Sequence, residues 1–138
     1  MSCDQQGTVY NSKIKLKTKI FKYEKGTTPF NEAFIVGFAG ITNEWMDIVD
    51  YLHNVESYKK PPVMNSSTGL VLSESGKIYH FTKPDKWLLI DQPFYAIGSG
   101  SQYAIGAMQQ KATTREAVKV AMNNDINTGF GIKTLKFK

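Results

Sequence analysis

Two short polar motifs follow one another in this chain, Gly98-Ser99-Gly100-Ser101, which opens a helix, and, after a further Thr-capped helix, Asp125-x-x-Thr128-Gly129. Glycines at a strand-to-helix junction allow a tight turn, and free amides at a helix start can hold an anion. The second motif sets another backbone-permissive turn and further polar groups beside the first. Neither motif completes a nucleotide signature: Tyr103 stands where the third glycine of a dinucleotide fingerprint would fall, and no Gly-Lys-Ser/Thr is present. A lone Gly-Ser-Gly is also a common turn before a packed helix, so the pair, in order, points to a site.

The elements that must position these groups follow from periodicity. Ser12 to Tyr23 reads as a strand in which Lys13, Lys15, Lys17 and Lys19 alternate with Ile14, Leu16, Thr18 and Ile20, placing four lysines on one face. Residues 24–29 read as a turn or loop. Ala33 to Ala39 is a continuous apolar run suited to a strand buried on both faces. After Gly40, the spacing of Trp45, Ile48, Val49, Leu52 and Val55 predicts an amphipathic helix that Lys59-Lys60-Pro61-Pro62 ends. A hairpin is expected from Gly69–Leu72 and Ile78–Phe81, with further strands over Trp87–Ile90 and Phe94–Ile97. A helix over Ser101–Gln110 follows, and Thr113-Thr114-Arg115-Glu116 has the spacing of a capping box for another. The chain closes with a strand over Ile132–Phe137. This order predicts an α+β fold with helices packed on antiparallel sheets.

At 138 residues, with 41% hydrophobic content, the chain is expected to form a single domain over residues 1–138. Its longest apolar run, Ala33 to Ile41, is too short to span a bilayer. The first six residues lack the basic and apolar regions of a signal peptide, so a cytoplasmic protein is expected. Cys3 is the single cysteine and excludes an intramolecular disulfide. The net charge of +5 resides largely in the lysine strand, where water is the expected neighbour. No interleaved aromatics or arginine-rich stretch supports a nucleic-acid groove. His53 and His80 lack partners at metal-ligand spacing, so neither a metal nor a cofactor is expected.

Taken together, Asp4 before a small polar turn, Lys19-Ile20-x-Lys22-Tyr23, Val36-Gly37-Phe38-Ala39-Gly40 before a helix, and Ala96-Ile97-Gly98-Ser99-Gly100 with Asp125-x-x-Thr128-Gly129 resemble the N-terminal nucleophile (Ntn) hydrolases of the proteasome β-subunit kind, above all the HslV-type peptidases. The resemblance implies a four-layer αββα sandwich of antiparallel sheets and cleavage of amide bonds by an N-terminal threonine. It implies that Lys19 tunes the nucleophile and that Asp4 holds Lys19. Ala39 and Gly40 would present backbone to the oxyanion, and Ser99, Asp125 and Thr128 would orient the terminal amine. Homo-oligomeric rings, peptide or protein substrates and an AAA+ unfoldase partner are implied as well.

In that family the nucleophile lies about one β-hairpin before the residue matched by Asp4, whereas three residues precede Asp4 here. Extended residues cover only ~3.3–3.6 Å each, so Met1-Ser2-Cys3 cannot hold two strands and a turn, and the fold is expected to be N-terminally shortened. Three readings follow: a truncated peptidase, a catalytically inactive relative acting as an assembly or binding subunit, or an unusual use of Ser2 or Cys3 as nucleophile. An anion-binding module using Gly98–Ser101 and the lysine strand is a further class, and it lacks a defining motif.

Overall fold

The computed structural model describes residues 1–9, 12–25 and 30–137. A five-stranded antiparallel sheet forms the centre, in the order β4 (Ile20–Tyr23), β5 (Phe34–Ala39), β6 (Thr68–Ser73), β7 (Ile78–Lys83) and β8 (Lys86–Ile90). The apolar run of β5 is buried through Phe38, as expected of a strand covered on both faces. On one face lies helix α1 (Thr42–His53), whose Trp45, Ile48, Val49 and Leu52 pack with Phe34, Phe38, Val71 and Phe81. Each such side chain contributes roughly 1.5–3 kcal/mol by leaving water. Gly69 in β6 sits beneath the Phe81 ring, and a Cβ there would overlap that ring, so this close approach requires glycine.

On the other face stand a two-stranded sheet and two helices. Strand β1 (Ser2–Asp4) pairs antiparallel with β9 (Ile132–Thr134), with Ser2 opposite Thr134 and Asp4 opposite Ile132. Helix α3 (Thr114–Asn124) packs on both β1 and β9 and against α2 (Ser101–Gln109). The layers therefore run helix, sheet, sheet, helices. The predicted capping box is complete: Thr113 Oγ1 accepts from Glu116 N at 3.3 Å, and the Thr113 N–H donates to Glu116 Oε2 at 2.7 Å.

Four expectations change. The strand predicted over Ser12–Tyr23 is two strands, β3 (Ser12–Lys15), paired with β2 (Gln6–Val9), and β4, with a bend between them. Long-range bonds make the bend: Leu16 N donates to Gln5 O at 2.6 Å, and Gln5 Nε2 donates to Lys17 O at 2.9 Å. The four lysines consequently do not share a face, because Lys19 turns into the structure. Phe94–Ile97 joins no ladder among the described residues, and the last strand stops at Thr134. Of the turn expected over residues 24–29, positions 26–29 lie outside the described residues.

Candidate active site

Asp4 ends β1 and Lys19 precedes β4, elements that the bend at residues 16–19 brings together. Lys19 Nζ lies 2.9 Å from Asp4 Oδ1, with both side chains largely shielded from water. The other oxygen, Oδ2, accepts from Gln6 N at 3.1 Å and from Gly129 N at 3.0 Å. One ammonium and two amides thus fix the carboxylate, and the carboxylate in turn aims the ammonium.

Asp125 caps the end of α3, and its Oδ2 accepts two hydroxyls at 2.6 Å each, from Ser99 and from Thr128. The Asp125-Ile126-Asn127-Thr128-Gly129 turn therefore joins the two carboxylates, its threonine bonding Asp125 and its glycine bonding Asp4. Gly100 makes room for this arrangement: a Cβ there would lie 2.8 Å from Thr128 Oγ1. The Ser99 hydroxyl first, and then that of Thr128, hold the Asp125 carboxyl below its ordinary range.

That shift carries a sign. A lowered native pKa contributes stability above the unfolded value of 3.8 that is lost as pH falls through the native value. Asp125→Asn is expected to flatten the acid limb of the stability curve below about pH 4. Urea unfolding from pH 7 to 2.5 checks this, and an unchanged acid limb would contradict it.

Ala39 and Gly40 carry β5 into α1. Gly40 has φ +111°, and a Cβ there would overlap the Ser66 carbonyl oxygen. Ser67, buried beside it, locks the turn: its Oγ accepts from Ile41 N at 2.8 Å and donates to Ile41 O at 3.1 Å. Among the described residues the Gly40 N–H meets no backbone acceptor. Gly98, with φ +96°, brings the Gly-Ser-Gly turn to this point, since a Cβ on it would lie 3.5 Å from Ala39 Cβ.

These pieces surround a cavity of about 770 Å³. Asp4, Lys19, Gly40, Ser99 and Thr128 line its polar end, and Leu70, Leu72, Ala104 and Ala117 are among its apolar walls. The volume suits a peptide-sized or smaller ligand. Ser2 Oγ is engaged by Thr114 Oγ1 and Thr134 Oγ1, at 2.9 Å each. Burial pushes the Cys3 thiol up, which keeps it protonated and unactivated at neutral pH. His53 Nδ1 bonds Val49 O at 2.8 Å, and His80 Nε2 bonds Thr68 Oγ1, contacts that serve packing. Sequence reading missed Gln6 and Ser67, neither of which has a local signature.

No family model and no curated protein sequence matches the chain. Solved structures do. The chain is similar to Thiobacillus denitrificans BPH in complex with epoxomicin, at 19% identity and TM-score 0.69, covering 96% of this chain and 88% of that one. It is similar to the eukaryotic HslV of Trypanosoma brucei, at 15% identity and TM-score 0.62, covering 96% and 90%. The Anbu complex of Pseudomonas aeruginosa, solved as a helical assembly, matches at 12% identity and TM-score 0.69, covering 95% and 73%. Likeness at these identities is likeness of fold. The α+β sandwich around this cavity is the proteasome-like Ntn-hydrolase fold of HslV, BPH and Anbu.

Proposed function

We propose that the cavity is the active site of an amide-bond hydrolase of the HslV type, acting on peptides or unfolded protein through a hydroxyl or thiol nucleophile at the start of a strand laid into it. The observation that supports this reading most is the convergence of the Asp4–Lys19 ion pair and the Ser99–Asp125–Thr128 network on the cavity beside Gly40.

The chemistry needs each part. The nucleophile attacks the scissile carbonyl carbon, and its own α-amine takes the proton and later returns it to the leaving amine. Lys19 favours the developing alkoxide by its charge, and Asp4 holds Lys19 in place. The Gly40 amide faces the oxyanion, where a fixed donor acts without reorganisation. Ser99, Asp125 and Thr128 orient the amine. Assembly into a homo-oligomer, in a ring or a helical array, would enclose such a site, and an AAA+ unfoldase would then deliver substrate in the cytoplasm.

The reading is tested with protein expressed from its native locus together with its upstream DNA. Hydrolysis of a fluorogenic peptide amide, blocked by epoxomicin and abolished when the mature first residue is replaced by glycine, is expected. A folded protein that cleaves no peptide would leave the alternative, a non-catalytic assembly or binding subunit.

A further inference from the structure

Strand β8 closes one side of the five-stranded sheet, and hydrogen-bond phase fixes what its outer edge presents. Ser73 N donates to Lys77 O at 2.9 Å, which makes these two a bonded pair of the β6–β7 hairpin. Bonded and non-bonded pairs alternate along an antiparallel ladder, so Tyr79 and Phe81 bond to β6, while Ile78 and His80 turn their backbone groups to β8. Their partners there are Ile90 and Leu88. The N–H and C=O of Leu89, which lies between them, therefore point away from the sheet. Continued along the chain, the same alternation points those of Trp87 and Asp91 the same way. Among the described residues these groups have no backbone partner. Charges and prolines usually guard such an edge, yet Trp87-Leu88-Leu89-Ile90 carries neither. Leu88, on the face shared with Ile78, is 62% exposed, and Leu89, on the α1 face, is 54% exposed. Neither flanking layer reaches over the strand.

We infer that β8 is an interface on which a second copy of this chain pairs edge to edge, antiparallel about a two-fold axis, so that the two central sheets become one. The occupant follows from the self-complementarity of the edge. A two-fold contact is isologous, and the outward backbone groups of one strand must meet those of the other, which leaves few registers. One of them sets Leu89 opposite the partner's Leu89. It opposes Leu88 with the partner's Ile90 on the other face, at two places by symmetry, and Lys86 with the partner's Gln92. Apolar cross-strand pairs stabilise a ladder and like charges destabilise it, and here no like charges are opposed. The neighbouring registers are poorer. Leu88 set opposite the partner's Leu88 would bring Asp85 against the partner's Asp91. Ile90 set opposite the partner's Ile90 would place Pro93, which has no N–H, at a bonded position across from the partner's Trp87. Trp87 set opposite the partner's Trp87 would lay Lys86 and Asp85 against the partner's leucines.

This contact uses no group of the hydrolase site, so the two readings stand or fall separately. The test follows the 138-residue chain by sedimentation velocity from about 1 to about 100 µM, with hydrogen exchange read at both ends of the range. Reversible association is expected. The Leu89 amide should slow in exchange as concentration rises, while the Leu88 and Ile90 amides, already in the β7 ladder, stay protected throughout. Leu88→Lys sets a lysine against the partner's Ile90 at two places and should weaken association about tenfold or more. Adding Ile90→Glu puts a carboxylate across from each lysine and should recover most of that loss, a rescue that only this register gives. Melting temperature controls for folding, and exchange on the unaltered chain decides the matter if the double variant does not fold. A chain that stays monomeric through the range, an assembly whose Leu89 amide exchanges freely, or association that Leu88→Lys leaves unchanged would overturn the inference. So would a Leu89 amide already protected in the dilute monomer, since the chain itself would then cover the edge. Peptide hydrolysis by a protein that never pairs through β8 would retire this interface and leave the hydrolase reading intact.

Discussion

Lys19→Met is expected to lower kcat/KM for peptide hydrolysis by about two to three orders of magnitude while leaving the protein folded. The size of the kinetic effect follows from what the ammonium does. It is held 2.9 Å from Asp4 and largely shielded from water, so in the proposed mechanism its charge would act on a developing alkoxide with little bulk screening. The effect on stability is smaller. Asp4 keeps the amides of Gln6 and Gly129 after the lysine is gone, so the carboxylate is not orphaned. The loss should be about 1.5–3 kcal/mol, that of one hydrogen bond to a charged group. Parallel kinetics and urea unfolding separate the two numbers. A variant that loses activity only in proportion to its loss of folded protein would contradict the electrostatic role.

The second large effect is expected at Gly40. Gly40→Ala combines backbone strain at φ +111° with overlap against the Ser66 carbonyl oxygen and the Ser67 backbone. These backbone neighbours, on the approach to β6, cannot rotate aside as a side-chain end does. The sum of strain and overpacking is about 2–6 kcal/mol. Because the same residue carries the amide assigned to the oxyanion, the fraction that still folds should also cleave slowly. Gly100→Ala is the informative comparison: φ is an ordinary −84°, and the added Cβ meets the Thr128 hydroxyl at 2.8 Å, a side-chain end able to turn away, and the Ala121 Cβ at 2.9 Å, which must give by a few tenths of an ångström. It should cost less stability and act through the Thr128–Asp125 bond instead. Equal destabilisation by the two substitutions would show that the turn at Gly40 tolerates a side chain.

The parts of this fold that were legible in the sequence are those fixed locally. The capping box at Thr113, the 3.6-residue spacing of α1 and the buried run of β5 are each set by neighbours in the chain. What could not be read was set at a distance. The lysine alternation from Lys13 to Lys19 has the pattern of one strand, yet Gln5 bonds the backbone of Leu16 and Lys17 and Thr18 bonds that of Ile20, which turns Lys19 inward. Phe94–Ile97 has strand-like composition, but a strand also needs a neighbour with a free edge, which no pattern in the segment itself reveals. The site shows the same division. The order of Asp4, Lys19, Ser99, Asp125 and Thr128 was visible because each sits in a short motif. The link through Gly129, whose amide joins the Asp125 turn to Asp4, spans 125 positions and has no sequence signature.

The most direct test of the hydrolase assignment is intact mass, followed by peptide mapping, of the protein expressed from its native locus with upstream DNA and treated with epoxomicin. The account predicts a single adduct on a threonine, serine or cysteine at the mature N-terminus, formed about a hundredfold or more slowly when Lys19 is replaced by methionine. A folded protein with no adduct, or an adduct that forms equally well without Lys19, would contradict it.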